Sequence, residues 1–200
     1  MSNFIAKLRS KGLRGSLVSI TSRFYSKNYL IKVNISDAHK IKNDYKIKEI
    51  NQEINEYLKD NEDEFKIAKY EQFKERISKD NITGYVIYSK NEVAGYLWTM
   101  TGEMEEGLTG YVKKLQDDEM YIYDGYTFEK HRRLGMGHSL ISIVLKERSN
   151  KYKIAYGIVD SLNYKSTGML QKVGFKKHGI IYTFKIFGKK FKKVVMINGN

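Results

Sequence analysis

The sequence predicts a mixed α/β (α+β) domain in which a sheet rich in hairpins is flanked by helices. Residues 83–100 and 175–197 each contain two runs of alternating apolar and polar residues around a short turn, which is typical of a β-hairpin. Residues 51–77 have apolar side chains at helical spacing instead. Residues 121–145 join an apolar-aromatic strand to an amphipathic helix through a basic turn that contains two glycines.

The remaining elements follow from the same patterns. They are a first core strand at 45–50, a helix at 51–58 that begins after the N-cap Asn51, a helix at 65–77, a loop at 101–118, a strand at 152–159 and a helix at 163–172. Trp98, the only tryptophan, is interpreted as a sheet-core residue in preference to an acceptor contact.

Length and composition exclude several classes of protein. Two hundred residues without a proline or a low-complexity linker predict one main domain. The absence of cysteine excludes disulfides, thiolate zinc sites and a cysteine nucleophile, and the four scattered histidines have no metal-ligand spacing, so no metal is expected. No apolar run approaches the ~20 residues of a membrane span. A cytoplasmic location is therefore expected.

Charge is distributed unevenly along the chain. The formal net charge is +13, the first acidic residue is Asp37, and none follows Asp160. Both ends are therefore basic, which predicts attraction to polyanions and suits a ligand that carries phosphates. Solvated lysine faces explain most individual lysines equally well.

Residues 1–36 combine apolar residues at roughly helical spacing with lysine and arginine and with no acidic residue. They predict a basic N-terminal helical extension at 1–40, ahead of a domain at 41–200. Three roles remain open: packing on the domain or on the mate in a homodimer, contact with a membrane surface, or a disordered arm.

The turn Arg132–Gly137 is the strongest local signal. Its glycines remove side chains at a helix start, so several backbone N–H groups can converge on an anion. No Lys-Ser/Thr pair follows, which excludes a Walker loop, and a third glycine is missing from the dinucleotide-binding pattern.

These residues resemble the GNAT superfamily of acetyl-CoA-dependent N-acetyltransferases. Arg132, Gly135 and Gly137 fill its Arg/Gln-x-x-Gly-x-Gly/Ala signature, and residues 163–166 (Asn-x-x-Ser) and 172–175 (Lys-Val-Gly-Phe) resemble a second family segment. The resemblance implies a GNAT-like, mostly antiparallel central sheet of about six to seven strands. The basic N-terminal segment also resembles acetyltransferases of cell-surface polysaccharide and amino-sugar pathways.

The resemblance further implies acetyl-CoA as the cosubstrate and a set of residues that bind it. In the family the strand before the glycine turn separates from the next strand, and its freed amides polarise the thioester carbonyl, while the turn holds the pyrophosphate. The implied cofactor-binding residues are Thr127, Phe128, Arg132, Arg133, Leu134, Gly135, Met136, Gly137, His138, Asn163 and Ser166.

The catalytic residues are less well defined. The position of the general-acid tyrosine of many family members is Leu170 here, so Tyr164, a water or unaided release of the thiolate must serve instead. Candidates for the general base are Asp124, Glu103 and Glu105. Each has a structural alternative, since Asp124 could pair with a lysine and the glutamates could be solvated, and a reaction without a dedicated base also remains open.

The predicted function is N-acetylation of a primary amine on a small molecule. An amino sugar or a sugar nucleotide is the first expectation, followed by a polyamine or an aminoglycoside. The alternatives are a macromolecular acceptor, such as aminoacyl-tRNA or a protein amine, and a CoA-binding protein without catalysis. Nucleic-acid binding rests on charge alone and is the less favoured partner.

Overall fold

The computed structural model describes residues 25–39, 45–187 and 189–197. In these residues the strands are β1 (Tyr25–Asn34), β2 (Ile47–Glu49), β3 (Ile82–Ser89), β4 (Glu92–Met100), β5 (Glu103–Glu106), β6 (Tyr111–Lys114), β7 (Glu119–Thr127), β8 (Ile154–Asp160), β9 (Lys176–Ile186) and β10 (Lys189–Met196). The α-helices are α1 (Gln52–Asn61), α2 (Ile67–Ile77), α3 (Met136–Arg148) and α4 (Tyr164–Val173).

Eight strands form one sheet in the order β10-β9-β1-β8-β7-β4-β3-β2, and β5 and β6 form a separate hairpin. Every neighbouring pair in the large sheet is antiparallel except β7 and β8. The predicted mixed fold with a mostly antiparallel sheet flanked by helices is thus confirmed. The described sheet has eight strands, however, where about six to seven were expected.

The helical prediction for the N-terminal extension is wrong over β1. This strand lies between β8 and β9 and is antiparallel to both, so the sheet crosses the boundary predicted at residue 40. Leu30 is buried on one face of the sheet, and Ile31 and Val33 are buried on the other. This alternation fits a strand with two covered faces. Residues 1–24 and 40 of the predicted extension lie outside the described residues.

Two other regions also differ from the sequence-based expectation. The predicted first core strand at 45–50 is β2, a short strand at the sheet edge. The predicted loop at 101–118 contains the β5–β6 hairpin, whose Met104 is fully buried although acidic residues surround it in sequence. The helix start at Asn51 is confirmed, because its side chain accepts a hydrogen bond from the Ile54 N–H at 2.9 Å.

The two faces of the sheet are covered differently. Helices α3 and α4 pack on the first face, while α1 and α2 cover β2–β4 on the second. The β5–β6 hairpin covers β1, β8 and β9 on that second face. Trp98 is fully buried beneath α2, with its ring centroid 4.7 Å from that of Phe73, so its assignment to the core is confirmed. The second face of β7 therefore lies where the two covers meet.

Candidate active site

A gap opens in the middle of the sheet between its two parallel strands. Residues 119–121 of β7 pair with residues 154–156 of β8, and the ladder ends there. Beyond Tyr121, β7 continues beside β4 alone, and β8 continues beside β1. The strand separation that the family resemblance implies is therefore present in the structure.

A β-bulge bends β7 along this gap. Tyr96 lies opposite Tyr126 and Trp98 lies opposite Tyr123, so the two residues Asp124 and Gly125 face a single residue of β4. Asp124 takes a positive φ of 47°, which is uncommon for a residue other than glycine. The bulge therefore redirects the end of β7 before the chain enters the glycine turn.

The register beyond the bulge shows which amide faces the gap. The Phe128 N–H donates to the Ala94 carbonyl at 3.0 Å, so the expectation that this amide is free is wrong. Along an antiparallel strand pair, hydrogen-bonded residue pairs alternate with pairs that exchange no hydrogen bond. Phe128 and Ala94 form a hydrogen-bonded pair, so the next pair, Thr127 and Gly95, does not. The N–H of Thr127 therefore points away from β4 and into the gap.

The glycine turn ends at the start of α3. Gly135 is the N-cap residue with a φ of 78°, and no side chain caps the helix. The first intrahelical bond runs from the Ser139 N–H to the Gly135 carbonyl at 2.9 Å. The N–H groups of the first turn, at residues 136–138, are thus left for a ligand, as at other anion sites on helix N-termini.

The two glycines of the turn have different roles. Gly135 needs the left-handed conformation, and a Cβ placed on it would meet no atom within 4 Å. A Cβ on Gly137 would instead lie 2.9 Å from the Met169 sulfur and 3.1 Å from the Thr127 hydroxyl. Glycine at 137 therefore allows α3 to pack closely against α4 and β7, while Gly135 leaves open space above the turn.

Arg132 is held on the α2 side of the turn. Its Nε donates to the Thr127 carbonyl at 3.1 Å, and its Nη2 lies 2.7 Å from the Tyr126 hydroxyl and 3.3 Å from a carboxylate oxygen of Glu64. The other oxygen of Glu64 accepts the Glu129 N–H at 2.7 Å. Hydrogen bonds from the Tyr126 hydroxyl and the Glu129 N–H hold the pKa of Glu64 below its usual value. Glu64, in the connection between α1 and α2, is thus fastened to the turn.

Comparison with known proteins identifies the family. The sequence model of the acetyltransferase (GNAT) domain matches residues 42–185. The chain belongs to the GNAT family of acetyltransferases. No curated protein matches it in sequence. GNAT acetyltransferases use acetyl-CoA, so the expected cosubstrate and enzyme class are confirmed at the level of the family.

Two solved structures illustrate the shared fold, and a third is similar to a smaller degree. A conserved protein of unknown function from Staphylococcus epidermidis matches with a TM-score of 0.60 and 16% identity, over 84% of this chain and 64% of its own. A protein assigned to the GNAT family from Novosphingobium aromaticivorans matches with a TM-score of 0.50 and 9% identity, over 79% and 62%. An aminoglycoside N-acetyltransferase in complex with CoA has a TM-score of 0.49 and 16% identity, over 66% and 92%. The chain thus spans less than two thirds of the length of the first two proteins.

Neither a metal centre nor a membrane span is found in the described part of this GNAT chain. No group of three or more histidine, aspartate or glutamate side chains is placed to bind a metal there. None of the described helices is both long enough and apolar enough to cross a bilayer.

Asp124 occupies the bulge in an ion-paired state. One of its carboxylate oxygens lies 2.6 Å from the Lys69 ammonium and 2.5 Å from the Arg76 guanidinium. Both cations come from α2, and the Asp124 side chain is mostly buried. This arrangement matches the structural alternative in which Asp124 pairs with a lysine. We therefore assign Asp124 to holding α2 against β7 rather than to proton abstraction.

The other candidate catalytic residues are spread over the domain. Glu103 and Glu105 are exposed on β5. This strand follows the end of β4 that pairs with the start of β7, whereas the glycine turn follows the end of β7. Tyr164 is 74% exposed at the start of α4, across the gap from β7. The Asn163 side chain caps that helix by accepting the Ser166 N–H at 3.1 Å. The structure therefore brings Tyr164, but not the glutamates, to the region of the gap.

Leu170, at the position of the family tyrosine, faces the interior. It lines a small space between α4 and the sheet together with Ile31, Val159 and Phe175. A side chain in this position packs α4 onto the first face of the sheet.

Sequence reasoning missed Tyr123, the residue before the bulge. Its hydroxyl is buried and has no hydrogen-bond partner among the described residues, and burial raises its pKa to about 12. The Arg76 guanidinium lies 4.9 Å from its ring centroid. With 16 tyrosines in the chain, nothing in the local sequence distinguishes this one. Its unpaired hydroxyl beside the bulge makes it a candidate hydrogen-bond donor to a leaving thiolate.

The anion site can be tested at Gly135 with a pair of nearly isosteric substitutions. Gly135→Asn and Gly135→Asp both place a short polar side chain that tolerates a positive φ in open space, but only the aspartate adds a negative charge. We expect Gly135→Asp to bind acetyl-CoA at least about tenfold more weakly than Gly135→Asn. Isothermal titration calorimetry measures both affinities, and equal values would place the pyrophosphate elsewhere.

Proposed function

We propose that this chain transfers an acetyl group from acetyl-CoA to a primary amine by direct attack in a ternary complex. The observation that supports this is the gap between β7 and β8, which opens beside the uncapped N-terminus of α3. An extended donor arm can pair with the open side of a strand, and a pyrophosphate can bind the N–H groups of a helix start.

The donor site in this proposal follows the glycine turn. The pyrophosphate binds the N–H groups of residues 136–138, and Arg132 and Arg133 supply positive charge beside it. Arg132 is partly exposed and exchanges its contact with Glu64 for the phosphates. Leu134 is exposed on the same turn and covers the cofactor from outside.

The pantetheine arm occupies the gap. The N–H of Thr127 donates to the thioester carbonyl or to the adjoining amide of the arm, while Asn163 and Ser166 flank the other side from the start of α4. A fixed backbone donor aimed at the carbonyl stabilises the oxyanion that forms when the amine attacks. The Phe128 N–H is bonded to β4 and does not contact the arm. The buried side chain of Phe128 forms part of the wall beneath α2.

The acceptor approaches from the second face, where α2 and the β5–β6 hairpin meet over β7. The neutral amine attacks the carbonyl carbon, and the tetrahedral intermediate collapses with loss of the CoA thiolate. The Tyr123 hydroxyl donates a hydrogen bond to the departing sulfur, the ammonium formed by the attack releases its proton to water, and water protonates the released thiolate. Because burial raises the pKa of Tyr123 to about 12, the phenol keeps its proton and stabilises the thiolate through this hydrogen bond.

Charge favours an anionic acceptor over a cationic one. At the bulge, the two cations Lys69 and Arg76 outnumber the single carboxylate of Asp124. This field attracts an amine that carries phosphate, such as an amino sugar nucleotide, and repels a polyamine or an aminoglycoside. An acceptor from a cell-surface polysaccharide pathway fits this preference.

Two alternatives stand behind this proposal. The absence of acidic residues after Asp160 suits a macromolecular acceptor such as aminoacyl-tRNA, and a protein amine belongs to the same class. Leu170, in the place of the family tyrosine, suits a protein that binds CoA without turnover. The cytoplasmic location, the homodimer and membrane contact through residues 1–36 remain predictions.

The reaction is tested by incubating the full chain with acetyl-CoA and separate pools of amino sugar nucleotides, amino sugars, polyamines, aminoglycosides, aminoacyl-tRNA and peptides. Thiol release and product mass are followed together. We expect the highest kcat/KM with a nucleotide-linked amino sugar. Preferred turnover of a polyamine would contradict the charge argument, and acetyl-CoA binding without turnover in any pool would contradict the enzymatic proposal.

The hydrogen bond to the departing thiolate is tested by removing single hydroxyl groups. We expect Tyr123→Phe to lower kcat by at least about 100-fold, with little change in acetyl-CoA affinity, because the hydroxyl acts mainly on the departing thiolate. Tyr121→Phe is the matched control, since Tyr121 is also buried and its ring stacks on Tyr123 with centroids 5.4 Å apart. A loss of kcat in Tyr164→Phe instead would assign this role to the exposed tyrosine.

A further inference from the structure

One edge of the sheet carries a high density of positive charge. The strands β1, β9 and β10 are neighbours there and contain no aspartate or glutamate. Their lysines are Lys27, Lys32, Lys176, Lys177, Lys185, Lys189, Lys190, Lys192 and Lys193. No carboxylate within these three strands neutralises them, so this edge attracts a polyanion.

Aromatic side chains are exposed at one end of the same edge. Phe187 is 100% exposed in the turn between β9 and β10. Phe184 and Phe191 lie opposite each other beside that turn, and Tyr25 of β1 lies opposite Phe184. All four are exposed, and we call them the aromatic tip. Single exposed apolar residues are ordinary, but a group of aromatic residues at one hairpin end marks a contact surface.

A second turn lies next to the aromatic tip. The ammonium of Lys190 donates to the Gly107 carbonyl at 3.0 Å, and Lys192 donates to the Gly110 carbonyl. These carbonyls flank Leu108, which is 78% exposed between β5 and β6. Both lysines bind neutral carbonyls here, so they keep their positive charge. Two apolar turns thus project side by side among lysines.

We propose that the aromatic tip and Leu108 dock on an anionic lipid bilayer. Phe187 and Leu108 enter the interfacial region, and lysines 185 and 189 contact anionic headgroups. Apolar side chains on protruding turns with lysines around them are suited to a soft, negatively charged surface that can accept them. This surface differs from the membrane contact predicted for a helical extension at residues 1–36, because it is built on the sheet, to which those residues contribute β1.

Two other partners fit the same surface less well. A second copy paired along the free edge of β10 would bring its lysines 189, 190, 192 and 193 against the same lysines of its mate. Single-stranded nucleic acid needs flat rings on a sheet face for base stacking. Here the most exposed apolar groups lie at turns, and one of them is the aliphatic Leu108.

Docking would also orient the active site. Strands β7 and β8 are parallel. Strand β1 is antiparallel to both β8 and β9, so β8 and β9 run in the same direction. The carboxyl ends of β7, β8 and β9 therefore lie at the same end of the sheet. The aromatic tip and the glycine turn consequently share that end, which would hold the donor site close to the bilayer.

The proposal is tested with the full chain and vesicles of phosphatidylcholine alone or mixed with phosphatidylglycerol. We expect co-sedimentation with the mixed vesicles only, weakening as salt is raised. Phe187→Asn suits the positive φ of 47° at this position and should weaken vesicle binding at least about tenfold. Ile67→Asn is the control, because it removes an exposed apolar side chain from α2, far along the sheet order from β10.

The remaining outcomes separate the other partners. Equal vesicle binding by the wild type and Phe187→Asn overturns the proposal. Binding of RNA but not of mixed vesicles assigns the edge to nucleic acid, and a dimer that Phe187→Asn dissociates assigns it to a second copy. Absence of vesicle binding by the wild type likewise overturns the proposal.

Discussion

The parallel ladder between β7 and β8 ends at Tyr121, and the rest of the structure is arranged around the gap that follows. A strand inside a sheet normally pairs on both sides, because unpaired backbone groups are costly when buried. Here the bulge at Asp124 bends β7 so that the N–H of Thr127 faces the gap. The glycine turn then starts α3 beside this opening. A backbone donor and a helix N-terminus are thus fixed relative to each other by the sheet.

Electrostatic contacts from the α1–α2 region keep the gap in this shape. Lys69 and Arg76 both bind Asp124, so the strained bulge residue is held by two cations of one helix. Glu64 binds the Glu129 N–H and Arg132, which fastens the same region to the glycine turn. The elements that cover the proposed acceptor side therefore contact both parts of the proposed donor site. Binding of phosphate at the turn would compete with Glu64 for Arg132 and so affect the acceptor side.

Features that depend on residues close together in sequence could be predicted, whereas features that depend on residues far apart in sequence could not. The glycine turn and the Asn51 cap depend on residues next to one another, and both could be read locally. β1 pairs with strands more than 100 residues later, so its alternation was hidden behind the helical spacing that precedes it. The ion pair that occupies Asp124 joins residues 55 positions apart. The partner of a buried group cannot be read from its neighbours in sequence.

The central claim is that acetyl-CoA binds in the gap through the backbone of β7 and the start of α3. Residue-resolved amide hydrogen exchange of the chain with and without acetyl-CoA tests it most directly. The account predicts new protection at the Thr127 N–H and at residues 136–138. The Phe128 N–H, already bonded to the Ala94 carbonyl at 3.0 Å, should change little and is an internal control. The account would be contradicted if acetyl-CoA protected other amides but left Thr127 and residues 136–138 unchanged, or if it protected no amide.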